Sequence, residues 1–141
     1  VERIVHSDAV MNGVSVQLEL SPYLAPVKGD IVQLQQVVLN LMVNAFAAMR
    51  GAEREAQRLI VRTNLADESN VLIEVRDHGT GIAPDKIESI FDPFITSKPE
   101  GLGIGLSICR SIIERHHGKI WAANNVDRGA TFSITLPIGN E

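Results

Sequence analysis

The chain has 141 residues, 45% hydrophobic and 21% charged, with a net charge of −4. These proportions exclude a disordered segment, and the length suits one domain with one core and no metal or disulfide staple. The acidic balance and the lack of a basic run exclude a nucleic-acid surface, which draws its affinity from clustered Lys and Arg, but leave a phosphorylated small ligand open.

Val1, Ile4, Val5 and Ala9 recur at helical spacing and predict an amphipathic helix over Val1 to Met11, with His6 as a structural or solvated side chain. Asn12-Gly13 predicts a turn, and Val14 to Leu20 alternates apolar and polar residues as a half-buried strand does. Pro22 and Pro26 mark a loop, after which Asp30 is placed to cap a helix. From Ile31 to Met49 the residues Ile31, Leu34, Val38, Leu41, Met42, Ala45 and Met49 trace an apolar stripe wide enough for a core helix. Asn40 and Asn44 stand one turn apart on this helix, although Asn disfavours helices because its amide competes for backbone groups. Either neighbouring loops satisfy both amides, or their carbonyl oxygens face a polar ligand or a hard cation.

Leu59 to Leu65 and Val71 to Arg76 predict two strands joined by a hairpin connection, with Val71, Ile73 and Val75 on one face. The second runs into Asp77-His78-Gly79-Thr80-Gly81. That is either a tight turn with an Asx cap or a base reader: an ionised carboxylate only accepts hydrogen bonds, so it selects an amino edge such as adenine's and repels the oxo group of guanine. Pro84 to Ile90 suits a short helix, and Phe91 to Phe94 a hydrophobic latch. Lys98, in a flexible segment, is either solvated or able to reach a phosphate.

Gly101, Gly103 and Gly105 alternate into Leu106 and a second amphipathic helix, Gly103 to His117, closed by Gly118. Such glycines form an ordinary turn or let a helix N-terminus hold an anion; neither a P-loop nor a Rossmann spacing is present. Cys109 lies in the apolar pattern as a buried, inert thiol, and being single it permits no internal disulfide. Lys119 to Ala123 and Thr131 to Leu136 predict a closing pair of strands. No His, Cys or carboxylate cluster has metal-ligand spacing. With no signal peptide and no bilayer-length apolar run, the chain is expected to be cytoplasmic without direct membrane contact. It starts without Met and is expected to be part of a longer protein.

Asn40-x3-Asn44-Ala45, Asp77-x-Gly79-x-Gly81, Phe91-x-Pro93-Phe94 and Gly101-x-Gly103-x-Gly105-Leu106 follow one another in this order. The series resembles the N, G1, F and G2 boxes of the sensor histidine kinase ATP-binding domain, across Val14 to Pro137. The resemblance implies the Bergerat fold of the GHKL superfamily: an α+β, two-layer α/β sandwich with a mixed sheet of about five strands and about three helices on one face. All of 1–141 would be one catalytic domain binding ATP and Mg²⁺. Asn44 would ligate Mg²⁺ beside a catalytic Asn40, and Asp77 would accept from adenine in a pocket shaped by Gly79 and Gly81. Gly101, Gly103, Gly105 and Leu106 would form the phosphate hinge, Lys98 the lid, and Thr131 a polar position near adenine.

The hydrolytic branches of that superfamily place Glu where Asn40 stands; an amide takes no proton near neutral pH, so the resemblance implies phosphoryl transfer rather than efficient hydrolysis. Ala47 and Ala48 also replace the Lys, Arg or Tyr that many kinases carry there. The short Thr-Ser-Lys-Pro lid is most similar to the nitrogen-regulation and oxygen-sensing kinases. His6 lacks the acidic neighbour of a phosphoacceptor, so a dimerisation helix carrying the acceptor and a sensor domain are expected upstream, in a parent that is a homodimer and could be membrane-anchored. The implied partners are that helix and a response-regulator receiver domain. Alternative readings are a nucleotide-binding regulatory module without transfer and an anti-sigma-factor-type serine kinase.

Overall fold

The apolar stripe of residues 31–49 forms the central helix, α1 (Ile31–Ala48), in the computed structural model, which describes residues 6–11, 14–19, 29–49, 58–92 and 102–138. Asp30 starts it: its Oδ1 accepts from the Val32 and Gln33 amides at 3.0 and 3.2 Å, satisfying two donors that every helix start leaves open. Val37, Leu41, Ala45 and Met49 are fully buried along one side. Their spacing of four places Val37, and not the half-buried Val38, at the centre of the stripe.

Six strands make one mixed sheet: β1 (His6–Met11), β2 (Val14–Glu19), β3 (Arg58–Leu65), β4 (Asn70–Arg76), β5 (Lys119–Asn124) and β6 (Ala130–Pro137), in the order β1-β2-β3-β4-β6-β5. β2 and β3 run parallel, with α1 between them in sequence, and the other neighbours are antiparallel. The register stacks Val16 beside Leu59, Val61 beside Val75, and Phe132 between Val75 and Ala122. These side chains meet α1 and the second helix, α2 (Leu102–Arg115), which adds Leu106, Cys109, Ile112 and Ile113 to the core. The opposite sheet face carries the Arg62–Glu19 and Arg76–Asp127 ion pairs at 2.8 and 3.0 Å.

The two-layer sandwich is therefore present, with two α-helices and one short 3-10 turn among the described residues. Three local expectations change. His6–Met11 is a strand, not part of a helix: it pairs residue for residue with Val14–Glu19, and Asn-Gly between two strand-like runs is the strongest short hairpin signal. The weaker apolar recurrence in that stretch yields to a sheet edge that pairs its backbone groups. Pro84–Lys86 is a 3-10 turn that continues as turns to Phe91, whose ring meets Phe132 edge to face at 6.1 Å. Helix α2 ends in a Schellman arrangement, with Gly118 N–H donating to Ile113 O and His117 N–H to Glu114 O. His117, at φ 64°, holds the left-handed position assigned to Gly118; Gly118 is needed because a Cβ there would strike the Thr135 carbonyl.

Candidate functional site

Asp77 follows β4 directly, and its N–H still pairs with Ala130 O of β6 at 2.9 Å. Continuing the alternation of Val71, Ile73 and Val75 turns its side chain to the helix layer, where it is 1% exposed. Oδ1 accepts from the amides of Gly79 at 2.9 Å and Ala130 at 3.1 Å. Among the described residues none donates to Oδ2. Burial pushes the carboxyl above the ordinary carboxylate range, and the two backbone donors pull partly against it.

The segment after Asp77 is fastened to the end of α1. A Cβ on Gly79 would run into the Ala48 carbonyl, and His78 N–H meets Met49 Sδ at 3.4 Å. One turn before Ala48 stands the half-buried Asn44, and one turn earlier the half-buried Asn40, whose side chain lies beside Cys109 of α2. Burial also raises the Cys109 thiol, as expected of an inert core cysteine. Asp77, Asn44 and Asn40 thus share the helix layer.

The β5–β6 connection frames Asp77 from the other side, and sequence reading missed it. Asn124 clamps Ile82 with Oδ1 accepting from its N–H at 2.7 Å and Nδ2 donating to its C=O at 2.8 Å. Asn125 Nδ2 donates to Asp77 O at 3.0 Å, and Arg128 Nε donates to the carbonyls of His78 and Gly79 at 2.9 and 3.2 Å. Gly129, at φ 85°, leaves no room for a Cβ against the Asp77 backbone and Oδ1. A glycine just before a strand was the available signal.

Gly81 takes φ 83°, with Asn124 Oδ1 2.9 Å from where a Cβ would stand. Gly103 and Gly105 lie in the first turns of α2, and a Cβ on Gly105 would meet none of the described residues within 4 Å. No packing demand from the described residues explains that glycine, whereas close approach of a ligand to the helix start would. Leu106 belongs to the core, 6% exposed. Thr131 is not brought to the carboxylate. It pairs opposite Arg76, on the face away from the helices, and its hydroxyl donates to Asn125 Oδ1 at 2.5 Å. Lys98, Gly101 and Phe94 lie outside the described residues.

The arrangement fits a purine nucleotide. Asp77 Oδ2, which takes no donor from the described residues, is an acceptor suited to an exocyclic amino group. Asn oxygens are hard donors suited to Mg²⁺, which takes its remaining ligands from water and phosphate. Among the described residues no group of three or more His, Cys, Asp or Glu could hold a metal.

A mixed sheet with one helical face and a buried carboxylate at a strand end is an architecture suited to holding a nucleotide. The chain belongs to the family described as histidine kinase-, DNA gyrase B-, and HSP90-like ATPase, whose model matches residues 29–140. It is 43% identical over 128 residues to the sensor protein FixL of Bradyrhizobium diazoefficiens, covering 91% of this chain and 25% of FixL. Similarity to sporulation kinase E of Bacillus subtilis is 33% over 135 residues, 96% of this chain and 18% of that protein. The chain thus spans a quarter or less of these curated relatives. Among solved structures, full-length ShkA in complex with AMPPNP superposes with a TM-score of 0.76 at 26% identity, covering 89% of this chain and 26% of ShkA. The catalytic domain of the histidine kinase ThkA superposes at 0.68 with 35% identity, covering 79% and 70%. Among the described residues no helix is long and apolar enough to cross a membrane.

Proposed function

We propose that this domain binds Mg-ATP and donates the γ-phosphoryl group to a histidine on a separate dimerisation helix, as the catalytic domain of a cytoplasmic two-component kinase. The observation that carries the reading is the buried Asp77 carboxylate, with Oδ1 locked by two amides and no described donor on Oδ2. Such an acceptor pairs with the adenine amino group and disfavours guanine. Asn44 would hold Mg²⁺, which neutralises phosphate charge during transfer. The glycines at the start of α2 give the phosphates a helix N-terminus, and Lys98 adds a cation.

In the transfer the bond from Pγ to the bridging oxygen breaks, ADP leaves with the electron pair, and a P–N bond forms to the acceptor imidazole. A neutral imidazole attacks with its own lone pair. The proton on the other ring nitrogen leaves to solvent or to a base on the acceptor helix, and Asn40, whose amide takes no proton, is not that base. The phosphoryl group then passes to an aspartate of a receiver domain, which the likeness to sensor kinases supports.

The test incubates the domain with γ-labelled ATP and a polypeptide bearing the parent's dimerisation helix. Label on that helix that acid removes and base spares marks phosphohistidine and is the expected result. Acid-stable label on a partner serine would support the serine-kinase alternative. Tight ATP binding with no transfer to the helix would leave a regulatory nucleotide module and overturn the kinase assignment.

A further inference from the structure

The two helices that carry the site are joined at a point remote from Asp77. His116, just past α2, reaches the start of α1: its Nε2 accepts from the Asp30 backbone N–H at 3.0 Å. Its Nδ1 lies 2.8 Å from Ile112 O, one turn back on its own helix. A carbonyl only accepts and an amide N–H only donates, so the ring is neutral with its hydrogen on Nδ1. Gly29 makes room for it, since a Cβ there would fall 2.8 Å from Nε2 and closer still to Cδ2. The ring therefore satisfies an amide at the head of α1 that the Asp30 side chain, occupied with Val32 and Gln33, does not reach.

We propose that His116 is a positioning residue that locks α2 to the head of α1, and that the lock opens when the ring takes up a proton. The inference rests on the reading of these helices as the Mg-ATP site. Helix α1 holds Asn40 and Asn44, and α2 starts in the glycine run. Their mutual placement is fixed near the middle by Cys109 Sγ, 3.9 Å from Val37 O, and at the far end by His116. Core packing of Leu106, Cys109, Ile112 and Ile113 also joins the helices, so loss of the His116 bond would loosen the far end of α2 against the head of α1.

Protonation acts directly on the contact. An imidazolium has N–H on both nitrogens, so Nε2 would oppose the Asp30 N–H donor to donor. The charged and titratable groups around the ring do not restore the bond. The Asp30 carboxylate caps α1, while Glu114, Arg115 and His117 stand at or just past the end of α2. With both ring nitrogens protonated, the acceptor is gone.

The full 141-residue domain serves for the test. Long-range ¹⁵N NMR should show His116 as the neutral Nδ1–H tautomer, and the Asp30 amide should be protected from hydrogen exchange. Mg-ATP affinity, titrated from about pH 8 to about pH 5, should fall over the interval in which the His116 ring signals move. His116→Ala should lower affinity about threefold to tenfold, the worth of one hydrogen bond, and remove that part of the pH dependence. Gly29→Ala, which displaces the ring without changing it, should lower affinity similarly and expose the Asp30 amide. An Nε2–H tautomer, or a His116→Ala profile that parallels wild type, overturns the lock. If wild type binds no nucleotide, the functional reading fails by itself, and the tautomer and Asp30 protection still decide whether the lock exists.

Discussion

Asp77 is held as a carboxylate at some cost to the fold. Its pKa is raised by burial, so between its unfolded and folded values the native state binds more protons than the unfolded one. Stability therefore falls as pH rises through that window, and above it the penalty is fully present. Asp77→Asn removes it while keeping an acceptor oxygen for the Gly79 and Ala130 amides. The variant should melt no lower than wild type at pH 7, and its advantage should vanish on acidification. ATP affinity should drop about 10- to 100-fold, the worth of a hydrogen bond to a charged acceptor. Calorimetric melting and nucleotide titration read the two arms separately; near-normal affinity would sink the adenine assignment. Two glycines sort in the same way. Gly105→Ala meets open space in a helix, so it should stabilise the fold by about 0.5–1 kcal/mol and weaken ATP binding. Gly79→Ala drives a Cβ into the Ala48 carbonyl and should lose about 1–3 kcal/mol of stability together with binding. Equal stability changes at both positions, measured by denaturant unfolding, would contradict this division of roles.

At the scale of elements the same sequence was legible in some places and opaque in others. Helix α1 could be read because an apolar stripe, an Asp N-cap and 18 helical residues all agree. The place of Asp77 at the end of β4 could be read because a carboxylate at a strand end before two glycines is a local pattern. Thr131 could not, because its face depends on which residue of β4 it opposes, and register is set by the whole sheet. The clamps from Asn124, Asn125 and Arg128 join side chains to backbone more than 40 residues away and leave no spacing to find. His117 lies between these cases. The His-His-Gly run announces a helix end, yet only the geometry shows His117 in the left-handed position and Gly118 under Thr135. A side chain at that φ is strained by about 1 kcal/mol relative to glycine. His117→Gly should therefore raise stability by about that amount with ATP affinity unchanged, as thermal melting of the two proteins would show. A loss of stability would mean that the His117 ring makes a favourable contact outweighing the backbone strain.

Across the whole molecule, an acidic domain must hold an acidic ligand. The net charge of −4 gives a triphosphate no general attraction, so binding depends on local charge neutralisation. On the proposed reading Mg²⁺ would be the main source, since α1 has no basic residue in its last turn and Ala47 and Ala48 stand where a cation could have been. With Asn44 as a protein ligand of the metal, chelating Mg²⁺ with EDTA should weaken ATP binding to wild type at least about tenfold, one hydrogen-bonded charge pair in free energy. Asn44→Ala should bind ATP in Mg²⁺ about as weakly as wild type does in EDTA, and should respond little to added metal. Asn44 is half-buried and outside the fully buried core of α1, so the variant should melt within about 1 kcal/mol of wild type and remain a fair test. Adenosine binding, which involves no phosphate, should be the same in both proteins. Isothermal titrations of ATP and adenosine with and without metal separate the two ends of the site: Asp77 should govern the base whether or not Mg²⁺ is present, and Asn44 should matter only when phosphate and metal are both there. An intact metal effect in Asn44→Ala would move the Mg²⁺ ligand elsewhere, while loss of adenosine binding in the same variant would show that α1 shapes the base pocket as well as the phosphate end.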